Sequence, residues 1–367
     1  MRYVVLILFF TCSIRTGSST SKQPTGDVLT DNKVFLITLD GFRWQELFSG
    51  ADSALLHNSR FTNNVNAAKA QFWEKDGENR RKKLMPFFWK VLSRQGQLFG
   101  NRAYDNRVDV TNPYRLSYPG YNEILTGKAD AAIYSNRKRQ NRNTTLLEYL
   151  NEQPAYNGNV AAFTSWNLFT YILNERRSGV HINCGNDKKA ASVFKKSAAA
   201  LPHFYDKNGN TRNDWTTFTT ARDYIMKHQP KMVFISLGGT DEYAHQKKYD
   251  AYLQQAQLAD TIIAELWNLV QSSSFYKGQT TFVITTDHGR GGAENNWHKH
   301  GFLTKGSSET WMALLGNGIQ PVGEHTTAMQ LYQAQVAGTV SNLLGVRSFE
   351  RQSIPVSFYT APLAKRQ

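Results

Sequence analysis

The sequence predicts an α/β fold: a three-layer sandwich in which a mostly parallel central sheet carries helices on both faces. Two observations lead to this prediction. Four short, continuous apolar runs rich in β-formers recur along the chain, and amphipathic helical stretches separate them. Continuous apolar runs suit central parallel strands that are covered on both faces. Strands that alternate with helices in this way favour a parallel sheet with helices on both sides.

The predicted elements follow one another along the chain. The strands are residues 34–39, 159–163, 232–237 and 281–286, and the helices are residues 84–95, 146–152, 217–227 and 252–271. The polar stretches 49–83 and 183–214 are expected to form loops or small insertions that cap a site. Because the chain has no internal repeat and no Pro-rich linker, we expect residues 24–367 to form a single domain with these cap-like insertions.

The N-terminus has the features of a secretory signal peptide, which we place at residues 1–23. A charged start at Arg2 precedes an apolar stretch to Phe10 that is too short to span a bilayer, and small or polar residues follow. The mature chain, in which no run is apolar for the ~18 residues of a membrane helix, is expected to be secreted or periplasmic. A lipid anchor at Cys12 and a buried N-terminal strand are the alternatives. If Cys12 is removed with the signal, Cys184 is the last thiol and no intrachain disulfide can form.

The chain is strongly basic. It carries 43 Lys and Arg against 29 Asp and Glu, a formal net charge of +14, with clusters at residues 80–83 and 137–139. Such an excess attracts anions, nucleic acids or acidic membrane surfaces, although a solvated basic face is the ordinary interpretation of any single cluster. No zinc finger, RNA-recognition signature or basic heptad accompanies the charge, so nucleic acid is not expected as the main partner. We expect an anionic small molecule as the partner.

Acidic residues follow three of the four predicted strands. Asp40, Asp241 and Asp287 each stand within a few residues of the carboxyl end of a strand. In open α/β sheets, ligands bind outside the carboxyl ends of the strands. We therefore expect these three carboxylates to meet in one site.

Histidines accompany two of these acids. His245 stands four residues after Asp241, and on a helical turn that spacing puts both side chains on one face, close enough to hold one ion. His288 directly follows Asp287 at a strand exit, before a glycine-rich loop, where adjacent side chains can meet one ion from two sides. When Asp241 and His245 are taken alone, the alternative is that both are ordinary surface residues.

Two further histidines, His298 and His300, lie close together in the chain. Because a glycine follows His300 and allows a close backbone approach, we take His300 as the metal ligand, with His298 as the alternative. Mixed nitrogen and oxygen ligands favour Zn²⁺, with Mn²⁺ as the competing ion, whereas Ca²⁺ prefers a cage of oxygens. The residues suffice for two ions about 3.5–4 Å apart, which would clamp the attacking and leaving oxygens of an in-line displacement.

Ser117 is the candidate nucleophile of such a site. Pro119 suits the first turn of a helix, and the run to Leu125 predicts a short helix whose N-terminal amides would face a phosphate. A serine that contacts a metal can ionise near neutral pH and attack phosphorus. A plain helix N-cap is the alternative role for Ser117.

Taken together, these residues resemble the alkaline phosphatase superfamily, and most closely its nucleotide pyrophosphatase/phosphodiesterase branch. The matching segments span most of the mature chain: residues 37–43 (ITLDGFR), 117–119 (SYP) with 125–127 (LTG), Asp241 with His245, 286–289 (TDHG), and 300–301 (HG) followed by 311–313 (WMA). The resemblance implies an alkaline-phosphatase-like fold, two zinc ions and a covalent phospho-enzyme intermediate. The roles that it implies are Asp241, His245 and His300 as ligands of one zinc ion, Asp40, Asp287 and His288 as ligands of the other, Ser117 bridging towards the phosphate, and Asn136 contacting the phosphate.

Departures from the family's patterns bear on the expected activity. The diesterase branch usually has threonine where this chain has Ser117, and sulfatase maturation needs an arginine where it has Tyr121. We therefore expect a secreted phosphoric-ester hydrolase rather than a sulfatase. One alternative is a phosphotransferase like the cofactor-independent phosphoglycerate mutases, for which the stretch between Ser117 and Asp241 is too short. The other is a non-catalytic module that binds metal or anions.

The surroundings of the phosphate decide between a phosphomonoesterase and a phosphodiesterase. A monoester carries more negative charge and would favour a nearby cation, for which the candidates are Lys128, Arg137 and Lys138. A diester has a second substituent and would favour an aromatic recess, for which the candidates are Phe72, Trp73, Tyr118 and Trp166. Both activities stay open at this point.

Overall fold

The structure is a computed structural model that describes residues 30–185, 210–346, 349 and 351–358. The signal peptide predicted for residues 1–23, and with it the lipid-anchor alternative at Cys12, lies outside the described residues. Within the described part of the chain, no helix is both long enough and apolar enough to cross a membrane.

The central sheet confirms the predicted α/β class. The strands of the described residues are β1 (Lys33–Leu39), β2 (Gly96–Phe99), β3 (Asn106–Asp109), β4 (Val160–Thr164), β5 (His181–Cys184), β6 (Met232–Leu237), β7 (Thr280–Thr285), β8 (Glu309–Thr310), β9 (Met312–Gly316), β10 (Gly323–Glu324) and β11 (Met329–Tyr332). The large sheet has the order β10-β2-β9-β7-β1-β6-β4-β5, and β11-β3-β8 form a small sheet. In the large sheet β9 runs antiparallel to β2 and β7, and the other neighbours are parallel.

Helices connect most of these strands. They are α1 (Trp44–Ser49), α2 (Ser53–His57), α3 (Val65–Phe72), α4 (Gly77–Leu84), a π-helix (Phe88–Leu92), α5 (Ser93–Gln95), α6 (Ser117–Thr126), α7 (Leu146–Glu152), α8 (Phe169–Ile172), α9 (Glu175–Ser178), α10 (Asp214–His228), α11 (Gly239–His245), α12 (Tyr249–Ser272) and α13 (Gln335–Leu343). Short 3₁₀ turns lie at Arg102–Tyr104 and Val356–Phe358.

The sheet separates two apolar cores, which makes three layers. In β1, Phe35 and Ile37 belong to one core, whereas Val34 and Leu36 belong to the other. Successive side chains of a strand point to opposite faces, so a fully buried strand supplies both cores. Helices α10 and α12 pack in the first core, and α6, α7 and α13 pack in the second. The carboxyl edge of the parallel strands is left free for a site.

The predicted strands agree with the observed ones to within one residue at each end, but one helical prediction is wrong. Residues 84–95 do not form one continuous helix, because Pro86 lacks an N–H and disfavours helical geometry at Met85, where ψ is 69°. The π-helix and α5 follow instead.

Residues 49–83, for which the sequence predicts loops or small insertions, contain the short helices α2, α3 and α4. Each of these helices begins with a side-chain cap, because Asp52, Asn64 and Asp76 accept the backbone N–H three residues further on. These caps stabilise short helices whose polar sequences carry little apolar periodicity. Of the second expected loop, 183–214, residues 186–209 lie outside the described residues.

Candidate metal centre

Three neighbouring strands bring the predicted acids together. In the sheet β1 lies between β6 and β7, parallel to both, and so the three carboxyl ends stand side by side. Asp40 directly follows β1, Asp287 follows β7 after one residue, and α11, which carries Asp241, begins two residues after β6. The arrangement follows from the strand order and the register of the pairing.

Asp40, Asp287 and His288 form the buried half of the cluster, and their ligand atoms all lie within 4.8 Å of one another. His288 Nε2 lies 3.5 Å from Asp40 Oδ1 and 3.5 Å from Asp287 Oδ2. His288 Nδ1 lies 3.0 Å from the Gly289 carbonyl, an arrangement that places the proton on Nδ1 and leaves Nε2 free to bind a metal. Asp287 is oriented by Gly41, whose backbone N–H donates to Oδ1 at 3.0 Å.

Asp241, His245 and His300 form the more open half. Ligand atoms of Asp241 and His300 lie within 4.8 Å of one another and of His288, and His245 lies beside this group. His245 Nε2 lies 3.1 Å from Asp241 Oδ2 and 3.1 Å from His300 Nε2, and the His245 side chain is 51% exposed. His300 Nδ1 lies 3.1 Å from the Arg115 carbonyl, which turns Nε2 towards the cluster. The rings of His288 and His300 stack with centroids 3.9 Å apart, so the two halves are continuous.

Ser117 is the first residue of α6 and lies against this cluster. Its Oγ lies 3.3 Å from His288 Nε2, and the residue is 4% exposed. The helix can come this close because of Gly120: a Cβ there would lie 2.4 Å from the Asp287 carbonyl oxygen. The sequence thus places a serine hydroxyl beside the ligand atoms.

The charges of the cluster fit divalent cations. Burial, followed by repulsion from Asp287, raises the pKa of Asp40 to about 7, and burial raises the pKa of Asp287 to about 7. Burial lowers the pKa of His245, His288 and His300, which favours neutral rings with a free nitrogen lone pair. Asp40 Oδ1 and Asp287 Oδ2 accept no hydrogen bond from the described residues. Buried carboxylates are costly unless donors or cations compensate them, and this donor set suits a divalent metal ion.

A cleft of about 180 Å³ opens onto the cluster. Ser117, Asp241 and His245 line it together with Asn136 and Trp166. Asn136 Oδ1 accepts the backbone N–H of Tyr118 at 2.9 Å, and its Nδ2 finds no acceptor among the described residues. That amide group is therefore available to an anion in the cleft.

Several other residues that the sequence suggested for the site lie outside the cleft. His298 lies in a different cavity, beside Arg60 and Phe61, and burial lowers its pKa to about 4. Phe72, the last residue of α3, is buried in the first apolar core. Lys128 and Lys138 line neither the cleft nor the neighbouring cavity that contains Arg137.

Sequence reasoning missed three supporting residues. Tyr121 donates its hydroxyl to Asp40 Oδ2 at 3.0 Å. The guanidinium of Arg290 is buried and contacts Asp241, while it donates to the Gly41 carbonyl at 3.1 Å. Asp214 accepts the backbone N–H groups of Gly238 and Gly239 at 2.8 and 2.9 Å and so shapes the start of α11. The sequence contained a signal for Arg290, because it is a lone cation in the glycine-rich loop that follows Asp287 and His288.

Comparison with known proteins bears on the superfamily. A family model described as Metalloenzyme superfamily matches residues 202–301, the segment that contains Asp241, His245, Asp287 and His288. No curated protein matches the sequence at a significant level.

Solved structures are similar over most of the chain. Wild-type alkaline phosphatase PafA has a TM-score of 0.56 at 12% identity, over 88% of this chain and 98% of its own. The phosphonate monoester hydrolase SpPMH from Silicibacter pomeroyi has a TM-score of 0.54 at 13% identity, over 92% and 78%. An alkaline phosphatase superfamily protein from Vibrio parahaemolyticus has a TM-score of 0.51 at 13% identity, over 87% and 69%. The chain has the fold of the alkaline phosphatase superfamily.

This alkaline-phosphatase-like fold confirms the resemblance drawn from the sequence motifs. The nucleotide pyrophosphatase/phosphodiesterase branch stays a prediction. The metalloenzyme match and the two ligand groups support binding of a divalent metal, while the number and identity of the ions remain predictions.

Proposed function

We propose that the chain is an exported, metal-dependent phosphoric-ester hydrolase in which Ser117 is the nucleophile. One observation carries the proposal: Ser117 Oγ, at the N-terminus of α6, lies 3.3 Å from His288 Nε2 at the edge of a cluster of carboxylates and imidazoles. Export rests on the signal peptide predicted at residues 1–23, and residues 24–367 would form one catalytic domain.

The proposed ligands divide into the two halves of the cluster. They are Asp40, Asp287 and His288 on the buried side and Asp241, His245 and His300 on the open side, with Ser117 beside His288. Zn²⁺ is the favoured ion and Mn²⁺ the competitor. When bound, two such ions favour the ionised serine and stabilise negative charge on the oxygens of the transferring phosphoryl group.

The chain's own residues bind and orient the ester. The Ser117 hydroxyl gives its proton to solvent and its Oγ forms a bond to phosphorus, while the bond from phosphorus to the ester oxygen breaks and that oxygen leaves with the electron pair. Water then attacks the phosphoserine, which releases the phosphate product and restores Ser117. The N-terminal backbone amide of α6 and Asn136 Nδ2 would donate to the non-bridging oxygens.

The test is hydrolysis of p-nitrophenyl phosphate and bis-p-nitrophenyl phosphate by zinc- or manganese-loaded protein. Ser117→Ala should lower the rate by ~10³-fold or more. A matched control is Ser272→Ala, because Ser272 is exposed at the far end of α12, where its hydroxyl donates to the Leu269 carbonyl. The ratio of the two wild-type rates separates a monoesterase from a diesterase, and a chelator should abolish both.

Two outcomes would overturn the proposal. Full activity of Ser117→Ala would exclude Ser117 as nucleophile. Stoichiometric metal binding without turnover of either ester would favour a non-catalytic binding module.

A further inference from the structure

A second cavity lies beside the catalytic cleft. Its volume is about 290 Å³, and its lining residues, which we call the arginine pocket, are Tyr118, Ala132, Ile133, Tyr134, Ser135, Arg137, Arg139, Gln140 and Arg142. Asn136 lines the catalytic cleft, and its neighbours Ser135 and Arg137 line the arginine pocket. Residues 135–137 therefore contribute to the linings of both cavities.

The first turn of α6 contributes residues to both cavities. Tyr118 directly follows Ser117, so the two Cα atoms are about 3.8 Å apart. Its backbone N–H donates to Asn136 on the cleft side, and its hydroxyl donates to the Arg139 carbonyl at 2.7 Å on the pocket side. A substrate whose phosphorus lies at Ser117 is therefore one residue of α6 away from the lining of the arginine pocket.

Carboxylates neutralise only part of the positive charge of the arginine pocket. Arg142 pairs with Asp130, whose Oδ1 and Oδ2 accept at 2.8 and 3.0 Å. Arg137 contacts Tyr134, and in the described part of the chain neither Arg137 nor Arg139 forms an ion pair with a carboxylate. A guanidinium offers a planar fork of donors that matches a carboxylate, sulfate or phosphate. Two such groups remain available to a ligand.

The walls of the pocket indicate what joins the anion to the phosphate. Tyr118 and Ile133 are buried and Tyr134 is 45% exposed, so ring and aliphatic surfaces flank the arginines. Gln140 Oε1 is buried and accepts no hydrogen bond from the described residues, which leaves an acceptor for a ligand donor. Apolar walls with a few polar groups are typical of small-molecule sites.

We propose that the arginine pocket binds a second anionic group of the substrate. The preferred esters carry, beyond the phosphate that is cleaved, an apolar or aromatic body that bears a carboxylate, sulfate or phosphate. This inference rests on the proposed function and specifies its substrate class. It assigns substrate selection to Arg137 and Arg139, in addition to the metal cluster.

The test compares two esters that differ in one charge. They are phenyl phosphates with a carboxymethyl or a carbamoylmethyl group at ring position 3, used as monoesters or as methyl diesters according to the activity found. The acid should have the higher kcat/KM with wild-type protein. In Arg137→Gln/Arg139→Gln, KM for the acid should rise about tenfold, as for two exposed charge-assisted contacts, while turnover of the amide stays unchanged and reports an intact fold.

Lys138→Gln is the control, because it removes one positive charge from the same loop at a residue that does not line the pocket. It should leave the acid-to-amide ratio unchanged. Three results would overturn the inference and leave the proposed hydrolase activity intact. They are equal kcat/KM for acid and amide with wild-type protein, an equal loss of activity on both esters in the double variant, and an effect of Lys138→Gln equal to that of the double variant. Failure to hydrolyse any ester would instead overturn the proposed function, and the inference with it.

Discussion

Replacing Tyr121 with phenylalanine tests whether a hydrogen bond outside the ligand set governs metal affinity. The buried Tyr121 hydroxyl donates to Asp40 Oδ2 at 3.0 Å and accepts from Ser236 Oγ at 3.0 Å. Phenylalanine keeps the ring, so the change removes these two hydrogen bonds and little else. Hydrogen bonds that orient a metal-binding carboxylate are worth about 10–100-fold in metal affinity, and we expect Tyr121→Phe to weaken zinc binding by that factor.

The assay is competition with a chromogenic chelator at constant pH. Tyr276→Phe is the matched control, since Tyr276 is also buried and its hydroxyl donates to the Pro230 carbonyl at 2.9 Å. Both variants should lose about 1–2 kcal/mol of unfolding free energy, but only Tyr121→Phe should lose metal affinity. Unchanged affinity in Tyr121→Phe, or an equal loss in Tyr276→Phe, would refute the reasoning.

Three further changes test the packing around the centre and the stability of the fold. Gly120→Ala places a methyl group 2.4 Å from the Asp287 carbonyl oxygen, so α6 must shift; hydrolysis should fall at least about tenfold, and the unfolding free energy by about 1–3 kcal/mol. Gly77→Ala, whose methyl meets nothing closer than 3.7 Å in α4, should leave the rate unchanged and should not lower the melting temperature, because alanine favours a helix more than glycine does. Glu46→Gln leaves the buried Arg43 guanidinium without its carboxylate and should lower the unfolding free energy, measured by urea titration, by about 3–5 kcal/mol. The control Glu78→Gln, at an exposed residue, should not change the urea midpoint. Burial raises the pKa of Asp260 to about 7, so the folded chain holds a proton that the unfolded chain releases near pH 4. Between about pH 4 and pH 7 the unfolding free energy of wild type should therefore fall relative to that of Asp260→Asn, by up to about 1.4 kcal/mol per pH unit, and equal pH slopes for the two proteins would contradict this.

The sheet could be predicted from the sequence because its signal is local. In β6 every residue is buried, so the run Met232–Leu237 is apolar without alternation and its ends agree with the prediction. The acids at strand ends are equally local, since Asp40 and Asp287 follow such runs directly. Parallel pairing then brings them together without any further information.

The supports of the site depend on long-range contacts and could not be predicted in the same way. Asp214 precedes Gly238 by 24 positions, and Tyr121 precedes Ser236 by 115, so no spacing pattern marks either pair. The short helices of residues 49–83 are different. Their caps at Asp52, Asn64 and Asp76 are visible in the sequence, but an interpretation based on apolar periodicity gives them no weight.

The position of the ligand cluster between β1, β6 and β7 couples metal loading to folding. Gly41 and Asp287, which hydrogen-bond at the centre, are 246 positions apart in the chain, so the cavity for a metal exists only after distant segments have paired. Contacts of such sequence separation form slowly, because the intervening chain must first be ordered. A cation that binds the assembled sheet and not the open chain shifts the equilibrium towards the folded state by mass action. The metal supply of the compartment in which the chain folds would therefore set the yield and the lifetime of the folded protein as well as its rate of hydrolysis.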